Sequence, residues 1–286
     1  MEVKSAYIHI PFCVRICTYC DFNKYFIQNQ PVDTYLDCLI TEMQQSEVRK
    51  LETVFVGGGT PTALDYQQLK KLLVAITDTF EIKGEFSFEA NPDELTIEKV
   101  QLLKDYGVNR LSMGVQTFKP ELLDILGRTH KTEDIYQSVA NARQVGIPSI
   151  SLDLMYHLPN QTLEDFQDSL EKALSMDIDH ISSYGLILEP KTKFYNMYRK
   201  GQLKVPNEDI GEEMYEYLLE RMEQSEMHQY EISNFAKNGY QSRHNKVYWQ
   251  TKQYLGFGLG AHSFWQNTRF HNTYDMKKYI HYQIEI

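Results

Sequence analysis

The sequence predicts an α/β protein: a partial (β/α)6, TIM-like barrel with an added α+β segment at its C-terminal end. Three observations predict it. Short β-rich segments alternate six times with longer segments of helical spacing. Polar and glycine-rich residues recur where those β segments end. After about residue 205 the alternation stops, and an aromatic, polar stretch follows.

Strands are expected at 6–10, 53–56, 85–89, 110–115, 149–154 and 180–186, each a short apolar or β-branched run such as TVFV at 53–56. Helical spacing covers 32–48, 66–80, 96–106, 119–126, 133–145 and 163–176. In the second of these Leu69, Leu72, Leu73 and Ile76 share one face. Thr96 followed by Glu98, and Thr162 followed by Glu164 and Asp165, suit helix N-termini. Gly107 and Gly146 stand where helices should stop.

Strand–helix alternation implies a parallel sheet with right-handed crossovers. Six units make either a partial barrel or an open doubly wound sheet. The position of the unusual residues favours the barrel, whose chemistry sits at the C-terminal ends of the strands. Three cysteines follow the first strand, and GGGTPT at 57–62 follows the second. Glu89 and Asn91 end the third, Gln116 the fourth, Asp153 lies near the end of the fifth, and Tyr184 is in the sixth. These residues should converge on one rim. Residues 1–205 are therefore expected to form the barrel. Residues 206–286 form the extension: an acidic amphipathic helix at 208–225, a glycine-punctuated stretch at 254–265 and the start of another helix after Tyr274.

The 286 residues are 42% hydrophobic, enough for a sizeable core. No run of eighteen apolar residues is present, and the start lacks the basic flank and apolar stretch of a secretory signal, so a cytoplasmic protein is expected. The 29 Lys and Arg against 39 Asp and Glu leave a net charge of −10, which argues against nonspecific binding to nucleic acid. Twenty Tyr and 14 Phe can fill a core or line a pocket for a flat ligand.

Cys13, Cys17 and Cys20 crowd into eight residues, and Cys38 stands apart within an expected helix. In a reducing compartment such crowding reads as metal or redox chemistry rather than a disulfide. The spacing fits three corners of a [4Fe–4S] cube, leaving one iron open. Zinc stays an alternative, with His9 able to complete the ligand set.

The wider string YIHIPFCVRICTYCDFNKY, with GGGTPT, FEANP, SMGVQTF, LGRTH and SLDLMYHLP in this order, resembles the radical S-adenosylmethionine superfamily. Within it the chain resembles the family of oxygen-independent coproporphyrinogen III oxidases and related haem chaperones, from about residue 7 to about residue 265. The resemblance implies a barrel of the radical S-adenosylmethionine type. It implies a [4Fe–4S] cluster on Cys13, Cys17 and Cys20 that binds S-adenosylmethionine and cleaves it to a 5′-deoxyadenosyl radical, with an electron donor as partner. The family pattern places cofactor contacts at Tyr7, Tyr19, Gly58, Gly59, Thr60, Glu89, Gln116, Arg128 and Asp153. Each residue type suits the task. Glycines admit close backbone approach, Glu89 and Asp153 accept hydrogen bonds, and Arg128 can hold a carboxylate by two bonds. Singly, each has a structural alternative: a tight turn, a paired strand carboxylate, a helix cap.

Two departures separate the branches. The oxidases carry a further cysteine two residues after the third cluster cysteine, where this chain has Phe22, and a longer segment before the cluster, where this chain has twelve residues before Cys13. Both point to the haem-chaperone branch, which passes haem to an acceptor protein. The run His244-Asn245-Lys246-Val247-Tyr248-Trp249 resembles a motif of that branch proposed to bind haem, with His244 as ligand and Tyr248 and Trp249 stacking on the porphyrin. The alternative is a His–aromatic cluster that fastens the extension to the barrel. His262 is a second candidate ligand. Family members continue into a C-terminal domain that these 286 residues are expected to lack.

Overall fold

A computed structural model describes residues 3–284. Six parallel strands form its centre: β1 (Ser5–Ile10), β2 (Lys50–Gly58), β3 (Glu81–Ala90), β4 (Arg110–Gln116), β5 (Ser149–Tyr156) and β6 (His180–Gly185). The extension adds β7 (His228–Glu231), β8 (Asn234–Ala236) and β9 (Leu255–Phe257) to the same sheet. The nine-stranded order is β9-β1-β2-β3-β4-β5-β6-β8-β7. Since β9 and β7 do not pair, the barrel is partial and open. β9 runs parallel to β1, whereas β8 is antiparallel to β6 and to β7. A separate hairpin joins β10 (His262–Trp265) to β11 (Thr268–His271).

Crossover helices cover one face: α1 (Val32–Gln45), α2 (Tyr66–Thr79), α3 (Ile97–Asp105), α4 (Pro120–Leu126), α5 (Thr132–Val145) and α6 (Leu163–Leu174). Strand alternation explains the layering. Ala6, Ile8 and Ile10, Val54 and Val56, and Leu152 and Leu154 are fully buried and share one core with Leu36, Leu39, Leu69, Leu72, Leu73 and Ile76. Each buried Leu or Ile contributes about 1.5–3 kcal/mol. The intervening residues, such as Tyr7, His9, Glu89, Ser112 and Asp153, turn to the inner face and are polar. All six expected barrel strands are present, and the expected helices lie within a few residues of their places.

The helix signals act as read. Thr96 accepts a hydrogen bond from the Lys99 N–H, and Thr162 and Asp165 form a reciprocal cap. Gly146 closes α5 in the left-handed region, φ +83°. Three further helices were not bounded or not foreseen in the sequence: α7 (Lys193–Arg199), α9 (Arg243–Trp249) and α10 (Met276–Ile284). α8 (Glu208–Glu223) is the acidic helix. Among the described residues no helix is long and apolar enough to cross a membrane.

Candidate functional site

The loop after β1 is fixed before any ligand is considered. Phe12–Cys13 and Tyr25–Phe26 pair in parallel and close the loop at its base. The Thr18 N–H and hydroxyl donate to the Leu126 and Ile125 carbonyls, both at 3.0 Å, which fastens the loop tip to the end of α4. The Phe194 N–H donates to the Thr18 carbonyl at 2.9 Å and adds α7 to the clamp. Cys13 is buried, Cys17 and Cys20 are half-buried, and all are free thiols.

The three cysteines open on one cavity of about 140 Å³. Tyr19 lines it from the same loop, Gly58, Gly59 and Thr60 from the end of β2, and Glu89 from β3. Gln116 enters from β4, Arg128 from beyond α4, and Asp153 from β5. Of the residues expected on the rim, Tyr184 of β6 does not line this cavity, and of the expected cofactor contacts Tyr7 does not. Tyr7 lies lower on β1, and its hydroxyl is 2.9 Å from His9 Nδ1.

Hydrogen bonds tie this rim together. The Arg128 guanidinium donates to Cys17 Sγ at 3.5 Å, to Asn91 Oδ1 at 2.7 Å and to the Gly114 carbonyl. The Asn91 amide donates to Thr60 Oγ1 at 3.2 Å, and the Thr60 hydroxyl donates to Cys13 Sγ at 3.8 Å. A chain Cys17–Arg128–Asn91–Thr60–Cys13 therefore edges the cavity. Asn91 was expected on this rim, whereas Ser112 lines it without having been singled out in the sequence. Ser112 donates to the Asp153 carboxylate at 3.2 and 3.3 Å. Its signal was its inward register on a strand whose next inward position, Gly114, adjoins Arg128.

The glycines are there for space. The Gly58 N–H donates to Glu89 Oε2 at 2.9 Å, and a Cβ on Gly58, at φ +120°, would stand 2.4 Å from His9 Nδ1. A Cβ on Gly59 would meet the Phe12 carbonyl oxygen at 2.7 Å. Burial, then the facing Asp153 charge, pushes the Glu89 carboxyl up to about 7. Burial likewise raises Asp153.

The thiols fit an iron–sulfur cluster. Burial pushes the Cys13 thiol up to about 12 and raises Cys20. Thiolates at these positions need a strong positive charge beside them, which iron supplies. Among the described residues no three His, Cys, Asp or Glu side chains are arranged to hold a single metal ion. His9 does not complete a zinc set: its Nε2–H donates to the Asn23 carbonyl at 2.8 Å, its Nδ1 faces Tyr7, and it lines a different cavity.

That second cavity, of about 320 Å³, adjoins the first. Gly58, Glu89 and Phe22 border both. Its aromatic wall comprises Tyr7, Phe22, Tyr248, Tyr254 and Tyr274, with His262 at the edge. Phe22 is 65% exposed, an unusual setting for an apolar ring.

His244 is not among the lining residues. It is fully buried, with Nδ1 2.9 Å from Thr53 Oγ1 and Nε2 2.8 Å from the Tyr248 hydroxyl. Both ring nitrogens are engaged, so in this conformation neither can ligate haem iron. The Glu85 carboxylate holds the start of α9, accepting from the Arg243 and His244 N–H groups at 2.7 and 3.0 Å and from Ser242 Oγ at 3.2 Å. The motif here fastens the extension to the barrel. Of its aromatics, Tyr248 reaches the cavity wall, whereas Trp249 is 57% exposed and is absent from the cavity lining.

A cysteine triad after the first strand, a glycine turn after the second and polar strand ends around one cavity define a class. The chain belongs to the radical S-adenosylmethionine superfamily, whose family model matches residues 7–173. Bacterial relatives narrow the family to that of the haem chaperone HemW. The chain is 52% identical to Heme chaperone HemW of Bacillus subtilis (strain 168), over 97% of this chain and 75% of that protein. It is 43% identical to the Lactococcus lactis protein of the same name, over 97% of this chain and 74% of that one. Its fold is similar to that of the Escherichia coli coproporphyrinogen III oxidase HemN, with a TM-score of 0.86 and 26% identity, over 99% of this chain and 69% of that chain.

Proposed function

We propose that this chain is a haem-binding chaperone built on a radical S-adenosylmethionine barrel, which passes haem to an acceptor protein. The observation that carries the proposal is Phe22. It stands exposed between the two cavities, at the position where the oxidases have cysteine, and offers a porphyrin an apolar face instead of a thiol. The names of the relatives support the same reading.

Cys13, Cys17 and Cys20 hold the [4Fe–4S] cluster, and S-adenosylmethionine takes the rim. When bound, the pair supplies one-electron cleavage of the sulfonium. The chain's own residues position it. Gly58 and Gly59 let the backbone approach, Thr60 and Gln116 offer hydrogen bonds, and Glu89 and Asp153 accept from hydroxyl or ammonium groups. Arg128 compensates the cysteine side of the cavity, and Tyr19 closes it from the loop; Tyr7 lines the adjoining aromatic cavity. Residues 1–205 carry this site, and residues 206–286 wall the second cavity. An electron donor and a haem acceptor complete the partners.

The test is a haem titration of the anaerobically reconstituted protein with its iron and acid-labile sulfide measured. About four irons per chain and saturable one-to-one haem binding are expected. Zinc without sulfide, or no saturable binding, would overturn the proposal. The structural likeness to HemN favours a second reading, coproporphyrinogen III decarboxylation. Carbon dioxide released from that substrate by the reduced, cofactor-loaded protein would establish it.

A further inference from the structure

The base of the barrel, at the opposite end of the strands from the cysteine rim, carries a groove that the haem-chaperone reading does not use. Its volume is about 590 Å³. Lys4, Arg243, Lys246 and Lys252 border it, against one carboxylate, Glu52. That carboxylate is already paired with Lys4, at 3.2 Å. The excess of positive charge stands on a chain whose net charge is −10. Among the described residues, neither the Arg243 guanidinium nor the Lys252 ammonium has an ion-pair partner.

The helix of the His–aromatic motif supplies two of these cations. Arg243 and Lys246 stand three residues apart on α9 and share a face. Arg243 is set in place from two sides. Its N–H donates to Glu85 Oε2 at 2.7 Å, and its guanidinium lies over Gly84, where a Cβ would stand 2.7 Å from Nη1. Lys246 Nζ donates to Gln241 Oε1 and lies 5.9 Å from the centre of the Tyr230 ring, which leaves N–H groups to spare.

The floor of the groove adds a hydroxyl. Ser5 and Thr53 are buried there. Thr53 Oγ1 donates to Ser5 Oγ at 2.9 Å, so it accepts from His244 Nδ1–H at 2.9 Å, and His244 Nε2 accepts from the Tyr248 hydroxyl. Ser5 ends this chain of donors, and among the described residues its own O–H has no acceptor. The lining holds no aromatic ring and a single apolar side chain, Val247. Guanidinium, ammonium and hydroxyl donors around a polar groove match an anion with several oxygens, not a flat apolar ligand.

We propose that this groove binds a small molecule carrying two or more phosphate or carboxylate groups, held by Arg243, Lys246 and Lys252 with the Ser5 hydroxyl beneath. The site is separate from the aromatic cavity and from the cysteine rim, and the inference does not rest on the haem-chaperone reading. It gives the motif a use: His244 holds the floor while residues 243 and 246 reach the ligand.

The experiment is isothermal titration calorimetry of the cluster-loaded protein with pyrophosphate and with citrate. About 0.15 M KCl screens loose surface attraction. Cluster absorbance is followed throughout, because both probes bind iron. Saturable one-to-one binding of at least one probe is expected, and the tighter of the two assigns phosphate or carboxylate. Arg243→Gln/Lys246→Gln should weaken it about tenfold or more, and Lys252→Gln and Ser5→Ala by less. Lys172→Gln, on α6 and paired with Asp168, should bind as the parent does. Circular dichroism identifies any variant that has not folded, and the single variants Arg243→Gln and Lys252→Gln carry the comparison in that case. No saturable binding of either probe, or parent-like binding by the groove variants, would overturn the site. An equal loss in Lys172→Gln would show a general charge effect and overturn it as well. Haemin binding is read separately, so failure here leaves the chaperone reading as it stands.

Discussion

His244 is held neutral by its surroundings: burial pushes its pKa down to about 4, against 6.5 for a free histidine. The sign of the resulting pH dependence follows. Above pH 6.5 the ring is neutral in folded and unfolded chains alike. Below it the unfolded chain takes up a proton first, so stability falls as the pH drops from 6.5 toward 4. By pH 5.5 this amounts to about 1 kcal/mol. Glu89 acts oppositely. Its folded pKa of about 7 lies above the usual 4.5, so the folded chain gains the proton first and is stabilised by about 2 kcal/mol between pH 7.5 and 5.5. Urea midpoints measured across this window should separate the two. On acidification His244→Gln should gain more stability than the parent, because the Glu89 effect is then unopposed, and Glu89→Gln should lose stability. A His244→Gln profile identical to the parent would show that the ring is not held neutral. The motif made His244 conspicuous, but its role was not legible. Its partner Thr53 lies 191 positions away, and only the fold brings them together. Cys13, Cys17, Cys20 and the residues at the ends of β2 to β5 were legible because they close or follow strands, whereas Arg128, beyond α4, and Tyr19, in the loop, were singled out only by the family resemblance.

Elements with their own periodicity were readable, and those made by tertiary contact were not. α2 has its apolar stripe and its Asp65–Gln68 reciprocal cap written within the helix. β8 and β9 have three residues each, too few for alternation to register, and they exist because β6 and β1 offer partners. α9 has seven residues and is held largely from outside. Ser242, its N-cap, accepts from the Asn245 N–H, while Glu85 on β3 takes three more donors from residues 242–244. Glu85 also accepts from the Ser87 hydroxyl at 3.1 Å. A glutamine there keeps the shape but turns one acceptor into a donor, leaving buried donors unmatched at about 1–3 kcal/mol each. Glu85→Gln should therefore lower stability by about 2 kcal/mol and expose the segment around residues 238–246 to protease. Unchanged proteolysis would mean that α9 is held by its aromatic contacts alone.

At the scale of the molecule, the extension closes what the six units leave open. A partial barrel ends in two strands with unpaired N–H and C=O groups. β8 and β7 cover the β6 edge, and β9 covers the β1 edge through Ala6, Tyr7 and Ile8. The β1 side carries the larger polar load. Buried Tyr35 donates to the His9 carbonyl at 2.7 Å and accepts from the Leu259 N–H at 3.1 Å. Glu42 accepts from the Gly258 N–H, Asn272 and Tyr279. Burial raises the Glu42 pKa, so its charge relies on those three donors. A chain ended at residue 250 would lose β9, the hairpin and all three Glu42 partners. It would expose the β1 edge, the strand from which the cluster loop departs, and leave a buried carboxylate uncompensated. Such a chain is expected to aggregate, seen by light scattering after size exclusion, and to reconstitute little iron and sulfide. A chain ended at residue 274 keeps β9, the hairpin and Asn272, and loses Tyr279. It should stay monodisperse with reduced stability. If both truncations behave as the full chain, the β1 edge needs no cover. If the first alone fails, the strand pairing at β1 and the Glu42 network are what hold the cluster loop in place.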